Sequence, residues 1–408
     1  ANGSVIVGGD INVNAGQIDI FVDADEASAD DEASLTINQA TLTAATINLD
    51  GGLDTQNDSL VVLLTGGDTA DWIVDGSNSG SLNAGTSDEA LFTNFSGLDG
   101  GDQTDTFHIE DGGEVVNIAG AGGTNTLDYG TGNGASYTGP VTVNLGSTEV
   151  ATATTGVTGA ITAINNLVGS SSNDDVLIGT DVANTFTVDV ADEGDVDGTV
   201  DFTSFENLRG AGGDDIFDLE ANLTGTAYGD NDDDTFNLSA DVAVGNIVAG
   251  ANGATGDTLV AAGGSGTTTN TWIIDATGGG SLDHGDGAQG AQTFTDVENL
   301  TGNNNTDDFT FTAVLNGTAA GLGGDDIFRV NNLGSADTYD GGTDAGNTDN
   351  DTLTYAGSAG PVTIAVTDLV NMETLIGSGS DADILQGTTG DDVFTVDDPN
   401  AGDVANID

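Results

Sequence analysis

The chain has 408 residues, of which 64 are glycine and none is cysteine, and its 68 carboxylates face only two permanent cations, Arg209 and Arg329, for a formal net charge of −66. That charge excludes non-specific attraction to nucleic acid or anionic membrane, and the lack of cysteine excludes a small disulfide-stapled scaffold. Apolar content of 37% with 5% aromatic residues suits a fold that buries one narrow stripe; regular strand signals argue against a disordered acidic tail, and no apolar run reaches the roughly 18 residues of a membrane span.

Residues 1–64 read as short strands. Ile11 and Val13, then Ile18, Ile20 and Val22, alternate with polar residues, and Leu35, Ile37, Leu42, Ile47 and Leu49 repeat the pattern. Period-two runs broken by Gly, Asn or Ala turns are strands rather than helices. The acidic run at 23–32 reads as a solvated loop. Ala1 follows no initiator methionine or signal-peptide core, so export or anchoring signals are expected outside this segment.

From residue 65 a longer unit repeats. Its aromatic openers are Trp72, Phe186, Trp272 and Phe394. An ENL-type turn follows in two copies, Glu206-Asn207-Leu208 and Glu298-Asn299-Leu300, with Phe95-Ser96-Gly97-Leu98 a looser counterpart. Acidic turns then run into strands carrying Phe107, Phe217, Phe236, Phe309 and Phe328. Later segments are Thr126-Leu127-Asp128-Tyr129 and Thr352-Leu353-Thr354-Tyr355, then Gly139-Pro140-Val141 and Gly360-Pro361-Val362.

The modules so defined are 65–180, a shortened 181–265, 266–388, and the start of a fourth at 389–408, after an opening block at 1–64. Modules that gain or lose whole segments behave as stacked layers. Phe217 and Phe236 stand 19 residues apart, about one coil of a β-solenoid. The expected fold is all-β, a right-handed parallel β-helix of about 16–20 coils spaced about 4.8 Å, hence a rod of about 80–95 Å. Tandem antiparallel β-sandwich domains are the alternative.

The turns Gly210-Ala211-Gly212-Gly213-Asp214-Asp215, Gly321-Leu322-Gly323-Gly324-Asp325-Asp326 and Gly387-Thr388-Thr389-Gly390-Asp391-Asp392 approach the nonapeptide G-G-x-G-x-D-x-U-x. Glycine permits positive φ, aspartate supplies hard oxygen, and calcium takes six to eight oxygens. The candidate ligands are Asp214, Asp215, Asp232, Asp233, Asp234, Asp325, Asp326, Asp391 and Asp392, with calcium the expected ion. The competing reading is a set of solvated β-turns with Asp and Asn at favoured places.

These turns resemble calcium-binding RTX repeats, although here they are isolated or paired rather than in long tandem. The order of opener, ENL turn, GGDD strand, DTL-Y and GPV is similar to the repeat units of giant secreted bacterial β-solenoid proteins, the filamentous-haemagglutinin-like or RTX-like adhesins. The resemblance covers roughly residues 65–408, and GGDINVNAGQIDI near the start resembles haemagglutinin-type coils. It implies export to the cell surface and a structural role as rod, filament or adhesin stalk. The expected partners are further copies end to end or side by side, or a surface or matrix polysaccharide. No nucleic acid and no membrane insertion are expected in this segment.

The alternative function is a calcium-dependent sugar- or matrix-binding module. A β-helix polysaccharide-active enzyme ranks last, because only two arginines, in non-equivalent positions, are available as charge stabilisers. His108 and His284 read as edge or surface residues, Trp72 and Trp272 as core caps, and Asn207 and Asn299 as side chains that satisfy backbone groups inside turns.

Overall fold

The computed structural model describes residues 4–22, 34–38, 42–52, 58–63, 69–83, 89–130, 136–146, 150–153, 156–262, 269–285, 290–343, 349–389, 394–398 and 401–404. The acidic run at 23–32 and the candidate ligands Asp391 and Asp392 lie outside these residues. The described chain is all-β, with large parallel and mixed sheets and one short 3-10 turn at Val366–Asp368. Among these residues no helix is long and apolar enough to cross a membrane. Two compact units are present, Ala1–Asp181 with Asp192–Leu208, and Val182–Ala191 with Arg209–Asp408.

In the first unit the strands Ser4–Val7, Ser34–Asn38, Ser59–Leu63, Gly97–Asp99, Asn117–Ala119 and Ile161–Thr162 pair in parallel. One register position holds Leu35, Leu60, Leu98, Ile118 and Ile161, all buried. A second parallel set, Ala70–Gly76, Asp105–Ile109, Thr126–Asp128, Asn166–Val168 and Val200–Thr203, aligns Trp72, Phe107, Leu127, Leu167 and Phe202. Strands only three to five residues long hold because each puts one large side chain on the shared apolar column, burying about 1.5–3 kcal/mol per side chain.

The second unit repeats this on a longer scale. Phe186, Phe217, Phe236, Leu259, Leu300, Ala319, Tyr339 and Leu369 occupy one position on successive parallel strands and are buried throughout. Their 19-residue step from Phe217 to Phe236 is a direct strand-to-strand neighbour relationship. The three phenylalanine rings lie nearly parallel, with centroids 4.9 and 4.8 Å apart. Offset stacks of this kind add about 0.5–1.5 kcal/mol per pair beyond burial. A second column runs Trp272, Phe309, Phe328, Leu353 and Leu375.

The sheets are mixed: antiparallel pairs occur at Thr142–Asn144 with Val150–Ala153 and at Glu193–Val196 with Val200–Thr203, and the tryptophan openers begin two longer antiparallel excursions. Ala70–Gly76, Ser79–Leu82 and Ala90–Thr93 form one meander, and Asn270–Ala276, Gly279–Asp283 and Gln292–Thr295 form its counterpart. Gly80 and Gly280 sit at matching places. A side chain on either would collide with a backbone carbonyl, that of Ile73 or Ile273. Several strands are longer than the short ones expected, up to the 11 residues of Ile11–Phe21. The 9-residue strand Leu223–Asn231 slips register between Leu223 and Thr226, where a bulge carries it through glycine.

Candidate functional site

The side chains that gather the most chemistry are carboxylates placed where each acidic turn becomes a strand. In Asp215-Ile216-Phe217 and Asp326-Ile327-Phe328 the aspartate is two residues before a buried phenylalanine. Period-two geometry therefore turns it to the same face. Asp105, Asp175, Asp215, Asp234, Asp257, Asp307, Asp326 and Asp351 are all buried.

Each of these carboxylates except Asp307 receives a backbone N–H from a neighbouring strand segment; Asp307 takes side-chain donors there, Asn270 Nδ2 and Trp272 Nε1, and the N–H of Asn303 from its own turn. In the first unit the N–H of Ala70 donates to Asp105 Oδ1 at 3.1 Å, that of Asp105 to Asn125 Oδ1 at 2.9 Å, and that of Asn125 to Asn165 Oδ1 at 2.9 Å. In the second unit Asn184, Asp215 and Asp234 donate in turn to Asp215, Asp234 and Asp257, at 2.7, 2.8 and 2.7 Å. Asp307 and Asp326 likewise donate to Asp326 and Asp351, at 2.7 and 2.8 Å. The carboxylates thus form columns in which most members accept from one strand segment and donate to the next.

The column through Asp105 and Asn125 ends on Asn165, whereas a glutamate closes those that contain Asp175, Asp257 and Asp351. Glu206 Oε2 accepts the N–H of Asp175 at 3.0 Å, Glu298 Oε2 that of Asp257 at 3.1 Å, and Glu373 Oε2 that of Asp351 at 2.8 Å. This explains the glutamate of the ENL turn and of Glu373-Thr374-Leu375, a role the sequence reading missed. The neighbouring asparagines satisfy backbone groups, as expected of them: Asn207 Nδ2 donates to the carbonyl of Asp175, and Asn299 Nδ2 to those of Thr255 and Gly256.

The glycines have a second duty beside positive φ. Gly213 and Gly324 do adopt left-handed backbone, with φ of 93° and 103°. Gly100, Gly210, Gly229, Gly302 and Gly321, however, each stand five residues before a column aspartate. A Cβ on any of them would collide with that aspartate's Oδ2. The motif leaves room for an inward carboxyl.

Burial sets the protonation chemistry. It raises Asp234 to about 8 and Asp326 to about 9, against the N–H bonds they accept and helped by neighbouring carboxylates. Asp105 and Asp351 are pushed to about 7, and Asp257 and Asp307 to about 6, with burial again the largest cause. Asp233 shows the opposite behaviour on the surface. It accepts the N–H groups of Thr255, Gly256 and Ala254 and the Thr255 hydroxyl, which lower it to about 2.

The candidate calcium ligands therefore divide. Asp215, Asp234 and Asp326 are buried column members. Asp214 and Asp325 are exposed and accept the N–H groups of Asp233 and Asn350, and exposed Asp232 accepts that of Gly213. Asp233 is filled with donors as described. Among the described residues the three-carboxylate group with ligand atoms within 4.8 Å of one another is a different one: Asp349, Asp351 and Glu373, the first two buried and the third exposed. Its sequence signal was Asp349-Asn350-Asp351 followed 22 residues later by Glu373.

Both arginines hold carboxylates across strands. Arg209 pairs with Asp230 through Nε at 2.9 Å and through Nη2, and lies 5.2 Å over the Tyr228 ring. Arg329 grips Asp308 through Nε and Nη2 at 2.8 and 3.0 Å. His108 stands between two carboxylates, with Nε2 2.8 Å from Asp71 and Nδ1 3.1 Å from Asp128. His284 is not the surface residue expected of a Gly/Asp loop. It is buried, with Nδ1 3.2 Å from Asn270 Oδ1, because the second meander folds over it. Trp72 and Trp272 are fully buried and stack on Phe107 and Phe309, as core caps do.

No protein-family model and no curated protein matches the chain.

Proposed function

We propose that this chain is the stacked-repeat segment of an exported structural protein, a right-handed parallel β-solenoid that serves as a rod, filament or adhesin stalk at the cell surface. The observation that carries this reading is the column of carboxylates, in which the hydrogen bonding of one coil is completed by the next. Such an arrangement invests the conspicuous acidic residues in stacking. The bidentate pairing of Arg209 and Arg329 uses the two permanent cations in the same way. The likeness to filamentous-haemagglutinin-like and RTX-like adhesins points in this direction, and so does a net charge of −66, suited to a solvated, non-adsorbing shaft. Its partners on this reading are further copies of itself or a surface polysaccharide.

Small-angle scattering of the purified chain tests the rod: the expected maximum dimension is about 80–95 Å with a rod-like cross-section, from about 4.8 Å per coil. A globular two-body profile would overturn it. Protease shaving of intact producing cells tests surface exposure, and protection of the chain until lysis would overturn export.

A second reading, calcium dependence, is favoured by the group Asp349, Asp351 and Glu373. Its carboxylate oxygens are of the hard type that calcium prefers. Calorimetric titration of the intact chain with calcium, repeated on Asp349→Asn with Glu373→Gln, tests it. Saturable heat lost in the variant supports the site, and equal heats in both oppose it.

A further inference from the structure

The strand Asp105–Ile109 carries two titratable side chains whose surroundings both ask for a proton. Asp105 is fully buried. Its Oδ1 accepts the N–H of Ala70, while Oδ2 has no hydrogen-bond partner among the described residues. Twenty residues later Asn125 fills the matching place in the column, with Gly120 standing to it as Gly100 stands to Asp105. The Asn125 amide reveals what this inward position requires. Oδ1 accepts the N–H of Asp105, and Nδ2 donates to the carbonyls of Gly122 and Ala163 at 3.0 Å each. A carboxylate offers acceptors at both oxygens, whereas a carboxylic acid offers one acceptor and one donor, as the amide does.

Three residues along, His108 meets Asp71 on the strand Ala70–Gly76 and Asp128 on the strand Thr126–Asp128. Nε2 is 2.8 Å from Asp71, and Nδ1 is 3.1 Å from Asp128 as an ion-pair contact without hydrogen-bond alignment; a carboxylate against each ring nitrogen favours the imidazolium, the form that carries positive charge toward both.

We propose that the strand Asp105–Ile109 is a proton-operated joint: with Asp105 a neutral acid and His108 an imidazolium it is locked to both neighbouring strands, and loss of the two protons loosens it. The groups that face the pair are all acids. Asp99, with Asp102 beside it, acts on Asp105, and Asp71 and Asp128 act on His108. Burial, chiefly, raises Asp105 to about 7. For His108 burial pulls downward, but Asp128 and Asp71 outweigh it and the net direction is up.

Both folded-state values lie above the unfolded ones. The Asp105 contribution is complete below about pH 4, the unfolded aspartate value, and is lost as pH rises through about 7; the His108 contribution follows the same sign from about 6.5 upward. The joint closes in mild acid and opens towards alkaline pH.

The test uses the full chain labelled with 15N-histidine, which carries two imidazoles. His108→Gln assigns the His108 signals. Its nitrogens are expected to report an imidazolium at pH 6.5 and to titrate above that value; a neutral ring at pH 6 overturns the proposal. Hydrogen exchange of amides 105–109 and 126–128, corrected for intrinsic rate, reads the opening. Protection is expected to fall at least about tenfold from pH 5.5 to 9, the effect of one unit of proton affinity. The Asp105→Asn, His108→Gln double variant is expected to be flat with pH. Protection that is flat in the unaltered chain, or that follows added calcium or chelator instead of pH, overturns the proposal without requiring any variant to fold.

Discussion

The indole Nε1 of Trp272 donates to Asp307 Oδ1 at 2.9 Å, whereas the indole Nε1 of Trp72, which opens the matching meander, has no hydrogen-bond partner among the described residues. Asp307 is also held by Asn270 Nδ2 at 2.8 Å and by the N–H of Asn303 at 2.9 Å. Position 70 in the first meander is alanine, so the asparagine arm is missing there. Replacing either tryptophan by phenylalanine removes about the same apolar volume. Trp272→Phe is therefore expected to cost about 1.5–3 kcal/mol more than Trp72→Phe, the contribution of a hydrogen bond to a charged group. Urea titration of the two variants measures the difference, and equal losses would contradict it.

Gly321 is expected to resist alanine because the added carbon would collide with Asp326 Oδ2. Overpacking of this kind costs about 1–3 kcal/mol. Shortening the opposing side chain in the double variant Gly321→Ala, Asp326→Ser should recover part of the loss, giving non-additive energies in a double-mutant cycle. Additive losses would mean that the two positions do not share the space.

Phe217 sits between Phe186 and Phe236 in a continuous ring stack and is fully buried. Phe217→Ala should cost about 3–5 kcal/mol through lost transfer energy and the cavity left behind. Phe217→Leu, which keeps the column filled, should cost much less. Chemical denaturation distinguishes the two.

Stability should depend on pH in a sense unusual for an acidic protein. Asp234, Asp326, Asp105 and Asp351 have folded-state values of about 8, 9, 7 and 7, above the unfolded aspartate. Their contribution is complete below about pH 4 and disappears as pH rises through 7 to 9. Asp233, lowered to about 2, works oppositely, and its contribution is lost as pH falls from about 4 through 2. The melting temperature should therefore peak in mild acid, near pH 4 to 5, and fall steadily to pH 9. A plateau from pH 5 to 8 would refute this account.

Removing either arginine charge should matter little. Arg209 and Arg329 have side chains 43% exposed, where ion pairs are screened. Arg329→Met is expected to change stability by less than about 1 kcal/mol. A collapse of the fold would give this cation a larger role than its geometry implies.

The strands were readable because the apolar residues recur with period two and the acidic turns punctuate them. Phe217 and Phe236 were taken to be one coil apart, and they are register partners. The antiparallel meanders were less readable. The 20–25 residues between opener and ENL turn gave only strand spacing, and Gly80 and Gly280 matter through a carbonyl distant in sequence. The two aspartates of each GGDD turn look alike as letters. Their phase relative to phenylalanine separates them, since Asp215 shares the face of Phe217 and Asp214 does not. Nothing local marks Glu206 or Glu298 as the end of a column, because the N–H each accepts comes from a residue 31 or 41 positions away.

The closing glutamates have an evolutionary consequence. Between Asn184 and Glu298 the N–H of each column member meets the same kind of oxygen it would meet with one more strand segment or one fewer. Duplication or loss of a whole aspartate-bearing strand segment would leave no amide of this column without an acceptor. Removal of the terminal glutamate would instead leave the preceding amide, that of Asp257, without the acceptor it has now.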